Sequence, residues 1–104
     1  MFARVTSGEL SPGDIDTFVA MVRDQVIPRA KSLPGFTGGY WLVDRGAGKV
    51  MGVTLFESEE ALNASAAQAE RIRDEASNAA GLPAPTFRSF EVVAAVGAAE
   101  LLAA

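Results

Sequence analysis

Two ionisable residues near opposite ends of the chain, Arg4 and Glu91, are the first candidates for chemistry. Arg4 sits in FARVT and Glu91 in FEVV, two short stretches with strand character. If the first and last strands are neighbours, the two side chains can face each other across the ladder. A guanidinium there would hold an anionic or enolate oxygen. A carboxylate beside it would accept a proton, which makes Arg4 and Glu91 the catalytic candidates. The competing reading is a structural salt bridge, or two edge charges in water. Tyr40 and Trp41 are the only tyrosine and the only tryptophan. Alternation along a strand sends them to opposite faces. One would line a pocket for a planar ligand and the other would anchor an interface, although core packing explains either. Thr54 lies on an otherwise apolar parity and can donate a hydrogen bond into a cavity, or be present for its β-propensity. Asn63, near the start of a later helix, completes the substrate-binding candidates, and solvent exposure suits it equally.

The composition removes whole classes of chemistry. Histidine and cysteine are absent. That rules out disulfides, thiolate nucleophiles and Cys-ligated metals, together with the usual neutral-pH base and haem ligand. Oxygen ligands remain, but Glu57, Glu59 and Glu60 read as a solvated helix start rather than a metal cage. No cofactor and no metal are expected. The net charge of −4 gives no reason to expect nucleic acid or an anionic membrane as partner. No apolar run approaches the roughly 20 residues that span a bilayer, and MFARVTSGE does not read as a signal peptide, so a cytoplasmic protein is the expectation.

These candidates must be positioned by a small set of elements. At 104 residues, 49% of them apolar, the chain suits one domain, with a core of about 2–96 and a tail of 97–104. After the first strand, Ser11, Pro12 and Asp14 read as N-cap, N1 and N3 of a helix. Ile15, Phe18, Val19, Val22, Val26 and Ile27 form its apolar stripe, and Pro28 should kink or end it. GGYWLVDRGAGKVMGVTLF then reads as two strands around Asp44–Gly48, with Gly46 and Gly48 free to take positive φ. Tyr40 and Leu42 oppose Trp41 and Val43. Val50, Gly52, Thr54 and Phe56 oppose Met51, Val53 and Leu55. Both faces of the pair are therefore apolar, and a face left uncovered by helices calls for a second subunit. Ser58 caps a second helix with an inward stripe of Ala61, Leu62, Ala69, Ile72, Ala76 and Ala80, mostly methyl groups. Such a stripe sets that helix close to the sheet or leaves a cavity beneath it. Gly81 ends it, and Thr86–Val96 contains the last strand. Gly35, Gly38 and Gly39 with Thr37 match no phosphate loop and read as turn chemistry. Gly97–Ala104 would be a frayed helix or an arm across a partner.

The order β-α-β-β-α-β predicts an α+β, ferredoxin-like split βαβ fold, a four-stranded antiparallel sheet with two helices on one face. This order, with GGYWLVDRGAGKVMGVTLFESEEAL and the closing FEVV, resembles the dimeric α+β barrel superfamily, nearest its antibiotic-biosynthesis-monooxygenase-like domains. The resemblance implies a homodimer in which two such sheets pair as a barrel, and a cleft between helices and sheet. It implies either binding of a small apolar or aromatic ligand without catalysis, or cofactor-independent oxygenation of an enolisable, polyketide-like aromatic. Several catalytic members carry a histidine in the helix after the LFESEEAL-like segment. Here that helix reads Asn63-Ala64-Ser65-Ala66-Ala67, which argues against haem degradation through an axial histidine.

Overall fold

The computed structural model describes residues 1–97. Strands β1 (Phe2–Glu9), β2 (Phe36–Asp44), β3 (Lys49–Phe56) and β4 (Thr86–Glu91) form one sheet in the order β2-β3-β1-β4. Each neighbouring pair is antiparallel. One helix-rich region, within residues 12–30, follows β1, and another, within residues 59–80, follows β3. This is the ferredoxin-like arrangement read from the element order, and the sheet of the single chain stays open rather than closing into a barrel. The tail from residue 98 onward, expected as a frayed helix or arm, lies outside the described residues.

The first helical region departs from its expected start and middle. Ser11 takes the extended N-cap conformation, but its side chain caps nothing, and Pro12–Asp14 form a 3-10 turn before α1 (Ile15–Met21). Pro28 does not end the helix. A π turn at Val22–Val26 precedes it, in which the Ile27 N–H reaches back to the Val22 carbonyl, and α2 (Ile27–Ala30) continues through the proline. Pro28 has no N–H to give and its ring crowds the carbonyl four residues earlier. A wider turn just upstream is one of the few ways a helix absorbs that crowding without stopping.

The second region follows its predicted stripe but is split. The Ser58 hydroxyl accepts from the Ala61 N–H at 3.1 Å, opening α3 (Glu59–Ala64). Buried Ser65 then interrupts the helix with φ −89° and ψ −5°, its hydroxyl donating to the Leu62 carbonyl at 3.0 Å. Next comes α4 (Ala66–Ala80), which Gly81 ends in the left-handed conformation. Leu62, Ala69, Ile72 and Ala76 are buried as the spacing predicts, and the first three pack with Ala30, Leu33 and fully buried Phe56. Phe36 meets Phe56 edge-on, ring centroids 6.0 Å apart.

The β2–β3 hairpin uses one of its two loop glycines for its special freedom. Gly48 sits at φ +70°, with its N–H on the Asp44 carbonyl at 2.9 Å, and its missing Cβ leaves room for the Leu10 backbone. Gly46 does not take positive φ. Directly paired residues share a face of the sheet. Arg4 pairs with Thr54, and Gly52 pairs with both Thr6 and Trp41, so these line the helix-covered side. The other side carries Tyr40, Leu42, Met51, Val53 and Phe90, of which Leu42 (51%), Met51 (41%) and Phe90 (49%) are exposed. No helix among the described residues is long and apolar enough to cross a membrane.

Candidate functional site

The side chains with the most chemistry converge beneath the helices. Arg4, the third residue of β1, is only 3% exposed. Its Nη2 donates to the Leu62 carbonyl at 2.8 Å, and its guanidinium carbon lies 5.0 Å from the centre of the Phe56 ring. Its Nη1 is buried and meets no hydrogen-bond acceptor among the described residues. Burial holds the Arg4 pKa below the ordinary arginine value, and the nearby Arg73 charge lowers it further. Arg73 on α4 is also lowered by burial, while Glu70 and Asp74 pull it back up. Its guanidinium carbon lies 4.3 Å over the Phe87 ring. Arginine stays protonated under any ordinary condition. The site therefore holds a pair of cations, and the described ion pairs, Arg29–Glu75 and Arg45–Asp16, leave both of them out.

Trp41 organises the space around this pair. Its indole lies across β3 at Gly52, where a Cβ would come within 2.8 Å of the Trp41 Nε1 and 2.7 Å of the Thr6 hydroxyl. Three spaces meet at the ring. An open trough of about 330 Å³ runs between α1, the π turn and the β2 edge, lined by Phe18, Val22, Ile27 and Trp41. Behind Phe18, Val22 and Trp41 lies a cavity of about 40 Å³ that Arg73 also reaches. Sharing Thr6, Val26, Trp41 and Arg73 with it is an inner cavity of about 50 Å³, where Arg4 and Thr54 stand. Val22 and Val26 of the π turn line this path at successive depths. π turns recur at functional sites because they turn side chains off the regular helical stripe. A larger concavity, about 540 Å³, is elsewhere: it lies at the end of the sheet, with Leu42 and Met51 of the open face on its wall.

The structure thus brings Arg4, Trp41 and Thr54 to one cavity. The Thr54 hydroxyl donates to the Arg4 carbonyl at 3.3 Å, so its hydrogen is already used within the sheet. The other candidates are placed apart. Arg4 pairs in register with Ser89, not Glu91, and Glu91 pairs with Phe2 in an exposed position at the strand end. The expected facing of Arg4 and Glu91 is therefore off by two residues in register. Tyr40 lies on the open face, and Asn63 is exposed on α3. Sequence reasoning missed Arg73. The available signal was its spacing, for residues 69, 72, 73 and 76 follow the i, i+3, i+4, i+7 pattern of an inward face.

No protein-family model matches the chain. Among curated proteins, it is 34% identical over 94 residues to the uncharacterised protein Rv2557 of Mycobacterium tuberculosis, an alignment covering 90% of this chain and 42% of that protein. The chain thus spans less than half the length of this relative. Among solved structures, it superimposes with a TM-score of 0.69 on a monooxygenase from the gene ActVA-Orf6 of Streptomyces coelicolor, in complex with Nanaomycin D. That pair is 18% identical, with 91% of this chain and 89% of the other covered. The heme-degrader MhuD of Mycobacterium tuberculosis, with two hemes in its active site, gives a TM-score of 0.65 at 25% identity, covering 93% of this chain and 100% of the other. The four-stranded sheet, its helix-covered face and these superpositions together establish a compact α+β fold shared with these solved structures.

Proposed function

We propose that this protein binds a small apolar or aromatic ligand in the cleft between its helices and its sheet, without catalysing a reaction on it. We further propose that it works as a homodimer whose open sheet faces pair into an α+β barrel. The observation that carries the ligand reading is the trough over Trp41, walled by Phe18, Val22 and Ile27, with Trp41 also lining both inner cavities. Concave, mostly apolar spaces with a few convergent polar groups are the usual form of small-molecule sites. The exposed Leu42, Met51 and Phe90 support the dimer reading.

The second reading is cofactor-independent monooxygenation of an enolisable, polyketide-like aromatic. The superposition on the Streptomyces monooxygenase favours it, as does a buried cation able to stabilise a substrate anion. Against it stands Glu91, the carboxylate offered as base, which is exposed and outside the cleft. Titration calorimetry with a panel of anthrones, quinols and naphthalenes, paired with oxygen-uptake measurements, separates the two. Saturable binding without oxygen uptake is expected. Uptake on any panel member transfers the assignment to the oxygenase, and absence of binding across the panel overturns both.

A further inference from the structure

Building on the cleft reading, we propose that the ligand is an anion, an aromatic carboxylate whose oxygens enter the inner cavity between Arg4 and Arg73 while its ring lies against Trp41. Four observations converge on this. Arg4 is 3% exposed and its Nη1 meets no acceptor among the described residues, although it stands at the wall of the inner cavity. A buried cation without an anion is among the costlier arrangements in a fold, and a bound carboxylate relieves it. Arg73 lines the same cavity, and its charge is near enough to lower the Arg4 pKa, although its guanidinium rests over the Phe87 ring. Two like charges sharing one space repel unless an anion lies between them.

The dimensions sort the ligand into head and body. The inner cavity, about 50 Å³, exceeds one water's share of liquid volume, about 30 Å³, and falls well short of the roughly 150 Å³ that takes up benzene. It suits a group of a few heavy atoms, not a ring. The trough of about 330 Å³ accommodates the ring, and Trp41 borders both. Guanidinium forks match planar carboxylates better than they match a single phenolic oxygen, which favours the carboxylate. Glu70 and Asp74 stand near enough to Arg73 to raise its pKa, so the anion competes with them there. At Arg4 burial and the Arg73 charge both lower the pKa.

The test compares 2-naphthoate with its neutral shape-mate 2-naphthamide, by calorimetry, on the wild type and on Arg73→Gln and Arg4→Met. The naphthoate is expected to bind at least tenfold tighter than the amide. Arg73→Gln should erase most of that preference. The preference should also vanish as pH falls through the range of a carboxylic acid, about 4, because the arginines keep their charge there. Arg73→Gln touches no hydrogen bond that holds the fold, so it remains informative if Arg4→Met fails to fold. Equal affinity for the two compounds overturns the anion inference and leaves the cleft reading standing. Binding of neither overturns both, and a preference that survives in Arg73→Gln removes Arg73 from the site.

Discussion

Arg4 and Leu62 join the first strand to the last turn of α3 through one hydrogen bond, Nη2 to carbonyl at 2.8 Å. The acceptor is a carbonyl near a helix C-terminus, where backbone acceptors lack intrahelical donors and negative partial charge accumulates. The same carbonyl also accepts the Ser65 hydroxyl at 3.0 Å. One strand and a helix break are thus tied to a single oxygen, which fixes where α3 ends and α4 begins above the cleft.

Replacing Arg4 by methionine should leave stability nearly unchanged. The lost bond involves a charged donor and contributes about 1.5–3 kcal/mol. The change also removes a buried cation and its unpartnered Nη1, each a cost of similar size. Leu62 keeps Ser65 as its donor. Urea denaturation should show a shift within about 1 kcal/mol of wild type, the two terms offsetting. A loss of several kcal/mol would mean that Arg4 is structural first and leaves little for a ligand role.

Two serines at helix starts should behave differently on truncation to alanine. Ser58 accepts from the Ala61 N–H at 3.1 Å and should cost about 1 kcal/mol when lost. Ser11 bonds nothing with its side chain, so its loss should fall within about 0.5 kcal/mol of wild type. Chemical denaturation of the two variants side by side checks the contrast.

That contrast also marks where the sequence was readable. Both serines carry the same local signal, a cap residue before an apolar stripe. Ser58 bonds because the chain enters α3 directly, while a 3-10 turn at Pro12–Asp14 draws Ser11 away. Strand parity was fully legible, because side chains alternate and the hairpin fixes the pairing. It set Tyr40 and Trp41 on opposite faces, and the structure adds which is which: Trp41 lies beneath the helices and Tyr40 on the open side. The ladder register between β1 and β4 was not legible, since no short turn links them, so adjacency allowed Arg4 to face Glu91 while the register pairs it with Ser89. The π turn was hidden because Pro28 reads as a breaker, and only the packing of the turns before it shows how the helix survives. Arg73 was hidden by its charge: a cation on an inward stripe reads as a solvated flank until its cavity is seen.

Met51→Asp tests the dimer. Met51 is 41% exposed on the open sheet face, beside Leu42 in register, so a single chain can solvate the new carboxylate. In a barrel that face is buried, and an unpaired charge there is strongly unfavourable. Light scattering should give a dimer for the wild type and a folded monomer for the variant, with circular dichroism unchanged. A monomeric wild type at micromolar concentration would end the barrel proposal.

Gly52→Ala probes the seat of the tryptophan. A Cβ at residue 52 would stand 2.8 Å from Trp41 Nε1 and 2.7 Å from the Thr6 hydroxyl, closer than packed atoms tolerate. Thr6 can rotate its hydroxyl aside, but the indole is held between β3 and the π turn side chains that share its cavities. The ring must therefore move outward into the trough. Overpacking of this kind costs roughly 1–3 kcal/mol. Because Trp41 is the only tryptophan, its emission reports the displacement without ambiguity. The variant should show red-shifted emission as the indole meets water, a lowered denaturation midpoint, and at least tenfold weaker binding of any ligand that uses the trough. Unchanged emission with weakened binding would place the ligand elsewhere than over Trp41.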